Sequence, residues 1–248
     1  MYPVAVFAPG NYRFVPGVLP YSRAVAAMPG FRLERVQFRR PVPLAEGFMR
    51  IEQVLKDAGR PTTAFCSCEL RSPAPYPSVS GFHSFNERYI ATLARWRIYD
   101  GVTNPVTRCN LCPIFDPPSE PSFHSFSYTV QDPASLRSFV LAGAWDAPDG
   151  MGPEAIIRRG DVSPLGLREK ARFVLGELEL RLAALGYSWA DVTATQAYTV
   201  HNLHSFLADE IIARGAARSG LTWHFTRPVV EDFEFEMDCR AVYDERII

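Results

Sequence analysis

The sequence predicts an α+β fold made twice in tandem, each half running β-β-α-β-α-β-β. Three observations predict it. Each half holds a long amphipathic stretch that stops at a glycine, Gly59 in the first and Gly186 in the second. Alternating segments rich in β-branched and aromatic residues flank those stretches in the same order. A His-Ser-Phe echo, "FHSFNERYI" at 82–90 and "LHSFLADEI" at 203–211, falls at the same place in both orders, about half a chain apart. A boundary is expected near 131–136, giving domains of residues 1–133 and 134–248.

The elements follow in turn. "YRFVPGVLPYSRAV" and "FRLERVQF" suggest an opening pair of strands. "PLAEGFMRIEQVLKDAG" has apolar residues at 44, 48, 51, 55 and 58, a helical stripe. "TTAFCSCEL" reads as a strand, and "GFHSFNERYIATLARW" as a helix with apolar positions 82, 85, 89, 90 and 93. "PVTRCNLCP" and "SFHSFSYTV" make two further strands around a Pro-rich turn. In the second half "RSFVLAGAW" and "EAIIRRG" suggest strands, and "LREKARFVLGELELRLAALG" is a helix with apolar positions 171, 174, 175, 178, 182 and 185. "VTATQAYTV" alternates as a strand, "HSFLADEIIARG" is a helix, and "LTWHFTR" with "FEFEMDCRAV" closes as two strands.

Composition narrows the function. With 47% apolar and 21% charged residues, the chain of 248 residues can bury a real core. A formal net charge of −1 supplies no basic field for nucleic acid or an anionic membrane. The start lacks a basic stretch followed by an apolar one, and no apolar run approaches a membrane span, so a cytoplasmic protein is expected. Five cysteines without export signals are expected to be reduced thiols. No Gly-x-Gly-x-x-Gly or P-loop argues for a nucleotide.

"NPVTRCNLCP" at 104–113 poses a choice between a thiol chelate and an anion-binding arginine. On a strand, Arg108, Asn110 and Cys112 share one face while Cys109 and Leu111 share the other. A Cys-x-x-Cys chelate needs a tight turn that brings both sulfurs together, so the reading favours Arg108 and expects no metal. His201, His204 and His224 have no ligand-like spacing, and His83 and His204 sit at helix starts, where capping is the ordinary role. Arg32, Arg35, Arg39 and Arg40 could meet a second carboxylate, but a solvated sheet edge is the ordinary reading of such a run.

Five short motifs in order resemble the RidA/YjgF family of enamine and imine deaminases: "PYSRAV" (20–25), "LKDAG" (55–59), "FCSCEL" (65–70), "FHSFNERY" (82–89) and "NPVTRC" (104–109). The second half resembles the same family through "EKARFVLGELELRLAALGYSWADVTATQAYTV" and "FEFEMDCRAV". Among two-domain relatives the likeness is to the 2-aminomuconate deaminases of aromatic-amine and nitroarene degradation. The resemblance implies a RidA/chorismate-mutase-like fold, a sheet packed on two helices, with barrel-like assembly, clefts between neighbouring domains, and neither metal nor organic cofactor. It implies a homo-oligomer, a trimer of two-domain chains being one arrangement, and a small carboxylate as the partner.

Carried over by motif, Arg108 takes the substrate carboxylate, with Tyr21 and Asn86 lining the cleft. The family's last-strand glutamate is missing from "SFHSFSYTV", where Ser125 or His124 stands, whereas "FEFEMD" offers Glu234, with Glu236 two residues on. Arg218 is the second half's candidate arginine, and Leu207 replaces its asparagine. The halves therefore look complementary, and one site from Arg108, Tyr21 and Asn86 with Glu234 supplied by a second-half domain is expected. The expected activity is hydrolytic deamination of 2-aminomuconate or a substituted, for example chlorinated, analogue. A chorismatase-like enzyme and a non-catalytic carboxylate binder are the alternatives. The absent basic stripe disfavours a ribonuclease.

Overall fold

A computed structural model of the chain describes residues 1–18, 20–78, 83–151 and 153–248. Leu19, residues 79–81, Gly152 and Phe82, the last expected on a helix face, lie outside the described residues. The strands are β1 (Ala5–Phe7), β2 (Tyr12–Val15), β3 (Ala24–Ala27), β4 (Phe31–Pro43), β5 (Phe65–Arg71), β6 (Thr107–Pro113) and β7 (Ser122–Gln131) in the first half. In the second they are β8 (Phe139–Trp145), β9 (Ala194–Tyr198), β10 (Leu221–His224), β11 (Thr226–Pro228), β12 (Glu236–Ala241) and β13 (Asp244–Ile247). Helices α1 (Leu44–Asp57), α2 (His83–Arg95), α3 (Pro164–Ala184) and α4 (His204–Phe206, continued by a π-helical stretch Leu207–Ile212) complete the list.

The duplication is visible in topology. The six-stranded sheet contains the order β6-β5-β7-β4, and the seven-stranded sheet contains β10-β9-β12-β8. Within these four-strand orders the pair on either side of the second helix of each half is parallel, β5 with β6 and β9 with β10, and the other pairs are antiparallel. The two long helices also stop alike. After α1, Gly59 N–H donates to Lys56 O and Arg60 N–H to Leu55 O; after α3, Gly186 N–H donates to Ala183 O and Tyr187 N–H to Leu182 O. This glycine-centred cap satisfies orphan carbonyls and requires a left-handed residue, which Gly59 (φ 66°) and Gly186 (φ 74°) supply.

Sheet membership crosses the expected division at 133/134. Strand β3 pairs with β8, which places β1, β2 and β3 in the seven-stranded sheet, while β11 and β13 edge the six-stranded one. The chain changes sheets at the Pro29–Gly30 turn, where Gly30 has φ 84°. It changes again at Phe225, so "LTWHFTR" forms two short strands in different sheets rather than one. "EAIIRRG" is not a strand: Pro153–Ala155 forms a single 3-10 turn, and Arg158 (φ 50°) and Gly160 (φ 74°) are both left-handed, which an extended strand excludes.

Three cores hold the layers. α1 and α2 cover the outer face of the six-stranded sheet through residues such as Phe48, Ile51, Leu55, Phe85, Tyr89 and Leu93. α3 and α4 cover the other sheet through Leu167, Val174, Leu175, Leu178, Leu182 and Phe206. Between the sheets lie Tyr12, Phe14, Val25, Leu33, Cys66, Cys109, Leu111 and Val140. The order is helices, sheet, sheet, helices. Alternation along β6 is as expected, with Cys112 in the helix-side core and Cys109 in the core between sheets. Among the described residues the sheets stay open and form no closed barrel; an isolated bridge, Ser22 with Thr107, ties the approach to β3 onto β6.

Candidate active site

That bridge builds the site. Ser22 N–H donates to Val106 O at 2.8 Å, Ser22 Oγ donates to Pro105 O at 2.9 Å, and Asn104 Nδ2 donates to Pro20 O at 2.9 Å. The "PYS" segment is thereby stitched to the entry of β6, one residue from Arg108, and Tyr21 is set beside it. On the opposite wall Gly143 of β8 lets two strands approach. A side chain there would place its Cβ 2.8 Å from Arg108 O, and its φ of 66° is one that glycine adopts without strain.

Arg108 is 3% exposed. Its Nη2 donates to Asn86 Oδ1 at 2.8 Å, an interaction made possible because α2 lies over β6. The guanidinium carbon stands 4.6 Å from the Tyr89 ring centroid, 5.4 Å from Phe85 and 5.6 Å from Tyr21. Among the described residues three rings thus frame a cation whose planar fork suits a carboxylate. Tyr21 is buried, and desolvation, then Asp149, raise its phenol pKa above the ordinary range while Arg108 opposes them. Tyr21 is a neutral hydrogen-bonding group.

Tyr21, Arg108, Asn110, Gly143, Trp145, Val229 and Glu236 line one cleft, with Cys109 at its floor. Its cavity of about 20 Å³ suits a single water, so a larger ligand must part the walls. Glu236 opens β12 and is 2% exposed. Burial, reinforced by the nearby Asp238, pushes its carboxyl well above the usual carboxylate range. Glu236 Oε1, Asn110 Nδ2 and Trp145 Nε1 are buried and have no hydrogen-bond partner among the described residues. Each such atom costs about 1–3 kcal/mol unless something else meets it. A wet or liganded cleft does so.

The sequence candidates divide cleanly. Arg108, Tyr21 and Asn86 come together. Glu234 does not line the cleft: its Oε2 lies 2.6 Å from His201 Nε2 and 3.4 Å from Arg227 Nη1. Its backbone N–H is held at 3.3 Å by Asp146 Oδ1, a carboxylate buried against Lys170, and this anchor precedes the strand proper. Glu236 takes the position expected for it. Arg218 is exposed in the turn before β10 and lines no part of the cleft. Of the arginine run, Arg39 and Arg40 are exposed, Arg32 pairs with Glu34 and Asp244, and Arg35 is buried with its Nε 2.7 Å from Glu69 Oε1. None lines the cleft.

Trp145, Gly143 and Val229 gave no sequence signal, because they meet Arg108 only through packing between the halves. Asn110 did give one, by sharing Arg108's strand face.

Comparison with known proteins agrees with this architecture. A 2-amino-5-chloromuconate deaminase of Comamonas testosteroni is 49% identical over 247 residues, covering 98% of each chain. A chorismatase crystal structure superposes with a TM-score of 0.54 at 10% identity, covering 88% of this chain and 77% of that one, a likeness of fold. A YjgF-family protein of Mycobacterium tuberculosis covers 43% of this chain at 15% identity and a TM-score of 0.27. The family described as 2-aminomuconate deaminase CnbZ matches residues 4–246, and the chain belongs to that family of deaminases.

Proposed function

We propose that the chain hydrolyses a 2-aminomuconate-type enamine dicarboxylate to the 2-oxo acid and ammonia, at the cleft between its halves. The supporting observation is the enclosure of Arg108 and Glu236, whose carboxyl burial holds well above the usual carboxylate range, in one buried space to which each half contributes. The name of the 49%-identical relative supports the substrate class and a chloro-substituted analogue within it.

Arg108 holds the carboxylate next to the amine-bearing carbon, with Asn86 fixing its fork and Tyr21 closing one side. Charge-assisted, bidentate pairing gives both hold and orientation. Glu236, kept as the acid by burial, donates its proton to the enamine carbon: the C=C pair forms the new C–H bond while the nitrogen lone pair forms the C=N bond of an iminium. Its carboxylate then accepts a proton from a water that attacks the C=N carbon. The resulting amino alcohol collapses, the hydroxyl proton passes to nitrogen, and ammonia leaves. Glu236 ends protonated again. Positioning and one shuttled proton account for the chemistry.

Freshly generated 2-aminomuconate should release ammonia with the wild-type protein and about 10²-fold more slowly with Arg108→Ala, the loss expected for a charged hydrogen-bonded anchor. Equal rates would refute the assignment. Consumption of chorismate instead would favour the alternative enzyme. Self-association belongs to the same reading, supported by the exposed, stacked Phe115 and Phe225, and sedimentation above the 27.8 kDa of one chain tests it. No helix among the described residues is long and apolar enough to cross a membrane.

A further inference from the structure

We infer that Asn110 and Trp145 form a neutral subsite for the second carboxylate of the substrate and so select diacids over monoacids. The inference rests on the function proposed above, and it adds what that reading leaves open: how a second negative charge is tolerated in a cleft whose other acid is Glu236.

Two donors carry it. Asn110 is 5% exposed, and its Oδ1 accepts from Ser72 Oγ at 3.0 Å. That bond occupies Oδ1 and leaves Nδ2 as the end without a partner among the described residues. The Trp145 ring is stacked on Phe233, with centroids 4.5 Å apart and planes 20° from parallel, so its indole is held in place. Its Nε1 also lacks a partner among the described residues. Both side chains line the cleft with Arg108. An indole N–H and an amide NH₂ can only donate, and an ionised carboxylate, which can only accept and has two oxygens to do so, matches the pair.

Spacing agrees. Arg108 and Asn110 occupy positions i and i+2 on β6, about 6.6 Å apart along an extended strand. That is comparable to the separation of the two carboxyl carbons in an extended six-carbon diacid. A cation at one end and neutral donors at the other also set the direction in which the substrate lies. The carboxylate beside the amine takes Arg108, and the reacting carbons fall between the two subsites, next to Glu236.

Muconate and sorbate, which share a six-carbon diene and differ in one carboxylate replaced by methyl, are the probes, with calorimetric affinities as the readout. The wild type should bind muconate at least 10-fold tighter than sorbate. Combining Asn110→Leu with Trp145→Phe, which keeps the stack on Phe233, should bring that ratio near 1 while leaving sorbate affinity unchanged. Asn110→Asp, of the same shape but charged, should invert the preference, whereas a purely structural role would move both ligands alike.

Arg108→Ala should weaken both acids together. A preference retained in the double variant and in Asn110→Asp overturns the subsite, as does a wild type that binds the two acids equally. Unchanged affinities in Arg108→Ala, or no binding of either acid, refute the underlying site instead.

Discussion

The two halves share one scaffold and differ in what they hang on it. In the first, β6 carries Arg108, and β7, "SFHSFSYTVQ", has no acidic residue. In the second, β10 is "LTWH" with no arginine, and β12 opens with Glu236. The strand orders match, and the helix caps match, so the backbone repeats while the chemistry does not. Each half alone is one partner short. The proposed site exists because β6 and β8 lie against each other, at a seam the Ser22–Thr107 bridge closes.

The sharpest test of this division of labour sets two neighbouring glutamates against each other. Glu236→Gln should lower kcat about 10²- to 10⁴-fold, the usual worth of a positioned acid–base group. Glu234→Gln should leave kcat within a few-fold, because that side chain is engaged with His201 and Arg227 outside the cleft. Initial rates of ammonia release distinguish them. The reverse ranking would return the role to Glu234 and break the comparison.

A second contrast concerns glycines. Gly143→Val should cost about 1–3 kcal/mol through its backbone conformation alone, with further loss from the 2.8 Å approach to Arg108 O. Gly176, in the middle of α3, has nothing within 4 Å of an added Cβ. Gly176→Ala should therefore stabilise by about 1 kcal/mol through helix propensity. Thermal melting reads both, and activity should fall only in the first.

A smaller effect tests the first half's own contribution. Asn86→Ala removes the bond that aims the Arg108 fork and should raise KM about 10-fold with kcat nearly unchanged, the loss of one hydrogen bond to a charged group. Arg218→Ala, at the position expected to mirror Arg108, should change neither.

Much of this was legible in the residues. The stripes at 48, 51 and 55 and at 171, 174, 175, 178 and 182 are buried as periodicity requires. Alternation correctly put Arg108 and Asn110 on one face of β6. The same rule could not choose between Glu234 and Glu236, which alternate identically, because the strand begins at the second and Asp146 captures the backbone of the first. Nor could it see strands changing sheets. That Ala24–Ala27 pairs with Tyr12–Val15 on one edge and with Phe139–Trp145 on the other depends on long-range packing, to which a local pattern is blind. The residues from the far wall, Gly143 and Trp145, were hidden for that reason.

The other polar feature between the halves is structural, and it gives the smallest prediction. Asp238 accepts from Tyr198 OH at 2.6 Å and Gln196 Nε2 at 3.0 Å, and His224 Nε2 lies 2.8 Å from Gln196 Oε1. Burial, then Arg71, lowers the pKa of His224 to about 4 and that of His124 to about 3. Unfolding releases both toward about 6.5, the ordinary imidazole value. The unfolded chain then binds more protons, so their contribution is complete above pH 6.5 and is lost as pH falls toward 4.

Asp238 acts with the opposite sign. Burial, then Glu69, raises its pKa to about 7, so its contribution is present below about pH 4 and is lost as pH rises through 7. The two trends partly cancel in the wild type. His224→Gln keeps a donor for Gln196 but removes one of the acid-side protons. Its melting temperature should therefore fall less between pH 7 and pH 5 than that of the wild type. A steeper fall would mean that the imidazole is charged in the folded protein, and that the face between the sheets is wetter than its burial implies.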